Sequence, residues 1–204
     1  MALPTLMRHY KLMRKSNPTL HQVACMAVTH GPGMLSYHES WKMIHEWVER
    51  ASINDLDALF ELILVSASLE DYDEGEDYDE VIAHILTLWM KKAPDEVLAR
   101  LPRITIPPAA NRSLMICVMD SIQRPECFPY LSDVAQDVDN LSDDDALKLV
   151  WALAYTRAPE SISVLERLQC SIAPRFESAL EDLPSCIAVA RERSSPSWMP
   201  KENG

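Results

Sequence analysis

The sequence predicts an all-α protein, a right-handed α-solenoid of about five stacked helical hairpins. Three observations predict it. Apolar residues recur at helical spacing through nearly the whole chain, and no stretch sustains an alternation of period two. Glycine is scarce, at 4 of 204 residues, while proline is common at 14, a balance that disfavours a turn-rich β fold. Prolines followed by an acid recur at a near-constant interval. With 48% hydrophobic and 25% charged residues, the chain can bury the core of one domain or of one short repeat array.

At the N-terminus, Arg8, Lys11, Arg14 and Lys15 lie opposite Leu3, Leu6, Met7, Tyr10 and Met13 on a helix. The apolar stripe continues into a second helix. This favours a terminal helix of the folded domain over a transit peptide, which would be richer in serine. No apolar run is long enough to span a bilayer, so no membrane partner is expected. Three further apolar faces follow. They are Tyr37, Trp41, Ile44, Trp47 and Val48, then Leu56, Leu59, Phe60, Ile63, Leu64 and Ala67, then Val81, Ile82, Ile85, Leu86 and Trp89.

Helix starts are marked by Pro94-Asp95, Pro125-Glu126 and Pro159-Glu160. Proline fits the first helical position because its missing N–H would be unpaired there, and the acid meets the positive end of the helix dipole. These prolines lie 31 and 34 residues apart. Ile85, Ile116 and Val150 stand nine residues before them, Leu88, Met119 and Leu153 six before, and Val97, Phe128 and Ile162 three after. The unit is therefore helix, short proline turn, helix, less regularly echoed at Asn17-Pro18 and Asn54-Asp55. Phe176, Leu180, Leu183, Ile187 and Val189 suggest a final helical cap. The chain reads as one solenoid domain over residues 1–193, with an acidic loop at 70–80 and a flexible tail at 194–204 that carries Trp198.

The stretches Arg124-Pro125-Glu126-Cys127-Phe128-Pro129-Tyr130-Leu131 and Ala158-Pro159-Glu160-Ser161-Ile162-Ser163-Val164-Leu165 resemble the inter-helix turn and second helix of HEAT-like repeats. The phycobilisome-lyase type is the most similar variety, and Lys92-Ala93-Pro94-Asp95-Glu96-Val97-Leu98 is a looser third copy. The resemblance spans residues 78–169. It implies a scaffold and no active site. The family usually carries a glycine before the turn, and this chain does not.

Charge is unevenly placed around a net value of -12. Residues 39–80 hold 14 acids against Lys42 and Arg50, and residues 133–145 add six aspartates without a cation. Such fields steer a basic protein and repel nucleic acid, which is therefore excluded as a partner. The candidate partner-binding residues are Asp71, Tyr72, Asp73, Glu74, Glu76, Asp77, Tyr78 and Asp79, with Asp143, Asp144 and Asp145. The two tyrosines could anchor what the carboxylates attract. The plainer reading of each run is a solvated face that keeps a helical protein soluble.

Catalytic signals are weak. Asp71, Asp73, Gly75, Asp77 and Asp79 miss the EF-hand spacing, with glycine at the fifth position and Ile82 at the twelfth. His38-Glu39 and His45-Glu46 are seven apart, where a zincin needs histidines four apart. No GxSxG elbow occurs, and the five cysteines (Cys25, Cys117, Cys127, Cys170 and Cys186) include no CxxC pair. A reduced, cytoplasmic chain with no metal or cofactor is expected.

The function this predicts is a non-enzymatic scaffold whose acidic surface binds a basic protein, in its sharpest form an immunity-type inhibitor of a toxin or nuclease. The alternatives are a structural subunit of a larger assembly and, further off, an enzyme of the kinds the resemblance implies. A DNA glycosylase would need a basic groove, which the charge opposes, and a bilin lyase would bind a tetrapyrrole.

Overall fold

The structure, a computed structural model, describes residues 37–67, 76–104 and 112–195. Among these residues the regular structure is entirely helical, as the periodicity predicts. The chain divides into two compact units, Met1–Leu114 and Met115–Gly204, where the sequence reads as one domain over 1–193. The basic N-terminal segment, residues 70–75 of the acidic stretch and the tail beyond Ser195 lie outside the described residues.

Unit 1 contains α1 (Tyr37–Arg50), α2 (Ile53–Ala67), α3 (Glu76–Lys92) and the short α4 (Pro94–Leu98), followed by a 3₁₀ turn at Leu101–Arg103. Ser52 and Asp55 close the start of α2. The Asp55 carboxylate accepts from the Ser52 N–H and from its hydroxyl, both at 2.7 Å. The predicted faces bury Ile44 and Val48 from α1, Leu56, Leu59, Phe60 and Ile63 from α2, and Ile82, Ile85, Leu86 and Trp89 from α3. Each such side chain contributes about 1.5–3 kcal/mol by leaving water.

Helix α3 packs on α1. Its Lys92 lies over the Trp89 ring, 4.8 Å from the centroid. The Lys92 ammonium donates to the carbonyls of Val48, Glu49 and Ala51, at 2.7–3.1 Å. These carbonyls sit at the C-terminal end of α1, where backbone donors run out, although the Val48 carbonyl also accepts from the Ala51 N–H at 3.2 Å. One lysine thus satisfies the end of a neighbouring helix and lies on its negative pole. His84 meets His45 earlier on the same helices, so α1 and α3 run in the same direction.

The first correction to the sequence reading falls here. Residues 76–80, expected as part of an acidic loop, form the first turns of α3. The stretch lacks apolar periodicity, which suggested a loop, yet carboxylates are favourable at a helix N-terminus.

Unit 2 holds most of α5 (Arg112–Ile122), then α6 (Phe128–Ala135), α7 (Asp143–Tyr155), α8 (Glu160–Ser171) and α9 (Glu177–Arg193). Helix α7 packs against α6, α8 and α9, and α8 also touches α6 and α9. The Ser178 hydroxyl donates to Asp143, the Trp151 indole donates to Asp182, and Arg193 lies over the Tyr155 ring. Those three pairings advance together along both helices, so α7 and α9 also run parallel. Pro184 sits inside α9 on its exposed side and removes the N–H that would meet the carbonyl one turn back.

The three prolines take their expected places. Pro94 opens α4, Pro125 opens a 3₁₀ turn leading into α6, and Pro159 caps α8. Two residues before Pro125 and Pro159, Gln123 and Arg157 adopt left-handed backbone at φ 51° and 62°. These are the positions after α5 and α7 where a glycine would relieve strain. After Arg157 the turn is stitched by buried hydroxyls. Thr156 donates to the Leu153 carbonyl and accepts from the Ala158 N–H, and Ser161 donates to the Ala158 carbonyl.

At an ordinary position alanine is more stable than glycine. At Arg157 the order should invert. With the guanidinium removed in both variants, Arg157→Gly is expected to exceed Arg157→Ala in unfolding free energy by about 1 kcal/mol, the cost of a left-handed Cβ less the extra freedom of unfolded glycine. Urea unfolding of the two variants checks this, and alanine as the more stable one would contradict the assigned turn.

Candidate functional site

The residues singled out in the sequence divide between the two units. Asp71, Tyr72, Asp73 and Glu74 lie outside the described residues, and Glu76, Asp77, Tyr78 and Asp79 stand in the first turns of α3. Asp143, Asp144 and Asp145 form the first turn of α7, preceded by the Ser142 cap.

All three of these α7 aspartates have partners within the protein. Asp145 accepts from the Ser142 hydroxyl at 2.8 Å, while its N–H donates to the same hydroxyl at 3.0 Å. Asp144 pairs with Lys148 one turn on, at 2.6 Å. Asp143 accepts from Ser178 of α9 at 3.2 Å. Burial opposes the charge on Lys148, but the Asp144 hydrogen bond and the fields of Cys117, Asp144 and Asp145 more than restore it. The cluster first serves the helix dipole and its own cap. Asp133, Asp139, Asp143 and Asp144 nevertheless remain exposed, so the α6–α7 edge of unit 2 presents carboxylates to solvent.

A second acid of the 39–80 run is structural besides the Asp55 cap. Arg100 is only 8% exposed. Its Nε donates to Asp57 of α2 at 2.8 Å, and its Nη1 donates to the carbonyl and carboxylate of Glu96 at 2.7 and 2.9 Å. Arg103 donates to the same Asp57 oxygen at 2.8 Å. The Arg100 hydrogen bond, helped by Arg103 and opposed by burial, holds the Asp57 carboxyl below its usual range. The same bond raises the Arg100 pKa against the effect of burial.

Two features were not singled out in the sequence. The first is a cationic rim in unit 2. Arg124, Arg157 and Arg193 follow the C-terminal ends of α5 and α7 and close that of α9. Burial first, then the fields of Arg124 and Arg193, weakens the hold of Arg157 on its proton, so the three groups lie within electrostatic reach. Arg193 stands 4.3 Å from the Tyr155 ring centre, and Tyr155 stacks on Trp151 at 5.6 Å. The readable signal was one arginine at each of three helix ends.

The second feature is a histidine pair. Nε2 of His84 lies 3.2 Å from Nε2 of His45, with ring centres 5.2 Å apart and planes tilted by 52°. His45 is exposed and His84 half-buried. Burial, then the fields of His45 and Lys91, pushes the His84 pKa down. The residues are separated by 39 positions and the whole of α2, which no local pattern bridges. Among the described residues no group of three or more His, Cys, Asp or Glu is gathered as a metal cage.

Of the described cysteines, Cys127 and Cys186 are buried, Cys117 is half-buried and Cys170 is exposed. Burial pushes the Cys127 and Cys186 thiols up to about 12, so both are protonated packing groups at neutral pH. Among the described residues no helix is long and apolar enough to cross a membrane. Comparison of the chain with family models, curated proteins and solved structures gives no match.

The Asp57 centre gives a pH signature. A carboxyl depressed in the folded state stabilises it fully above the unfolded value of about 4, and that stability is lost as pH falls through the folded value. Asp57→Asn is expected to lose about 1–3 kcal/mol at pH 7, because it strips the main partner from a buried guanidinium. It should also flatten the decline in stability between about pH 5 and pH 2. Urea midpoints across that range measure both effects, and an unchanged pH profile would contradict the assignment.

Proposed function

We propose that this chain is a non-enzymatic protein-binding scaffold, a right-handed α-solenoid of about five HEAT-like hairpins whose acidic surface receives a basic protein. The observation that carries this reading is the exposed α6–α7 edge, where Asp133, Asp139, Asp143 and Asp144 lie within a short stretch of unit 2. Internal pairing accounts for Asp143 and Asp144 in part. The Asp139 carbonyl accepts from Arg175, while its side chain is exposed. Carboxylates held at a surface in excess of what the helix ends require draw in a cationic partner and set its orientation.

Repetition supports the scaffold half of the proposal. The left-handed residue and the proline recur at the same interval in Gln123-Arg124-Pro125 and Arg157-Ala158-Pro159. Alternate helices run parallel within each unit, α1 with α3 and α7 with α9. Stacked hairpins have both properties, and they offer extended surfaces in place of a closed pocket. In its sharpest form the function is inhibition, the acidic edge masking the working surface of a cationic toxin or nuclease in the cytoplasm.

A second reading, a structural subunit of a larger assembly, is favoured by the Arg124, Arg157 and Arg193 rim. One chain carrying surfaces of both signs suits contacts with two neighbours.

The test is affinity capture by the immobilised protein from its source cells, with the retained proteins identified by mass spectrometry. A basic protein is expected. Its retention should fall with added salt and in two charge-reversal variants, one with Asp71, Asp73, Asp77 and Asp79 changed to lysine, the other with Asp133 and Asp139 changed. If no basic protein is retained, or if retention is indifferent to both reversals, the acidic-surface function is wrong.

A further inference from the structure

We propose that His45 of α1 and His84 of α3 form a binding site for a divalent transition-metal ion of the zinc, copper or nickel class, which ties the two helices together. The warrant is geometric. Two imidazole nitrogens bound to one ion at about 2.0–2.1 Å, with a near-tetrahedral angle, stand about 3.4 Å apart. Their ring centres then lie about 5.2 Å apart, since both rings point at a common centre off the line between the nitrogens. The observed separations are 3.2 Å and 5.2 Å. A straight hydrogen bond of the same length would put the ring centres farther apart, at about 5.5 Å. The two nitrogens, within hydrogen-bond distance of each other in the metal-free protein, are thus spaced as two ligands of one ion would be.

The pair is also held in place. Ile44 and Val48 flank His45 in sequence, Ile85 follows His84, and all three are buried. The Lys92 cap fixes the same helices eight residues further along α3. Such support keeps two ligands from separate helices in register without the metal, so little ordering remains to be done on binding. Exposure of His45 gives the ion a route in. Nitrogen donors select zinc, copper and nickel over calcium and magnesium, which require oxygen.

Calorimetric titration of the untagged full-length chain with zinc chloride tests this. The expected result is one ion per chain. Binding should weaken about tenfold or more in His45→Gln and in His84→Gln. It should be unchanged in a variant with His9, His21 and His30 all replaced by glutamine, which removes the histidines of the N-terminal segment. Zinc should raise the melting temperature of the wild type and of that triple variant, and leave the two single variants unmoved. Far-UV circular dichroism establishes that the single variants remain helical. Should His84→Gln lose helix, His45→Gln at its exposed position decides the matter. The proposal is overturned if zinc binds only at millimolar concentration, if binding survives His45→Gln, or if the triple variant abolishes it.

Discussion

A chain that must reverse between short helices, with 4 glycines in 204 residues, has to close its helix C-termini by other means. This constraint organises much of what the structure shows. The last carbonyls of a helix lack internal donors, and a glycine in left-handed conformation is the common way to turn the chain back onto them. Here Gln123 and Arg157 adopt that conformation with a Cβ present. At α1 the solution comes from another helix, as Lys92 donates to three terminal carbonyls. The two devices differ in reach. The Arg157 turn is held by the local hydrogen bonds of Thr156 and Ser161, whereas the Lys92 cap depends on the packing of α3 on α1.

The same constraint bears on how charge is read. Acids gather where helices begin and cations where they end, because each is stabilised there by the local dipole. Asp143, Asp144 and Asp145 open α7, and Glu177 opens α9. Arg157 follows α7, and Arg191 and Arg193 close α9. Since α7 and α9 run parallel, their acidic starts lie together and their basic ends lie together. A polarised layer follows from helix direction before any partner is considered.

Much of the helical framework was legible in the sequence. Proline marked three helix starts because it is compatible with the first turn, and the apolar faces built on Ile44, Leu56 and Ile85 are the buried ones. The acidic stretch misled at residues 76–80, because without apolar periodicity nothing distinguishes a charged first turn from a loop. The missing glycine before the repeat turn was legible as a gap. That Gln123 and Arg157 would take its conformation was not, since left-handed backbone at a long polar side chain has no sequence signature. The histidine pair and the Asp57–Arg100 contact were hidden for a different reason. Each depends on how segments about forty residues apart come together, and the spacing within one helix does not determine it.

Separating the charges that helix ends require from those they do not changes what the acidic runs mean. Asp55, Asp57, Asp144 and Asp145 are each tied to a cap or a cation, so their presence follows from folding. Asp139 belongs to a short 3₁₀ turn, and Asp133 lies in the last turn of α6, the end of a helix where a carboxylate is disfavoured. Asp133 gains nothing from the dipole and accepts only a long hydrogen bond from Gln136 at 3.4 Å, Asp139 has just one short turn to favour it, and both side chains are exposed. A carboxylate retained against its helix's own field contributes to the surface potential and little to the fold. It is these residues, more than the conspicuous triplet at the start of α7, that give this edge of unit 2 a negative potential its helix starts do not call for.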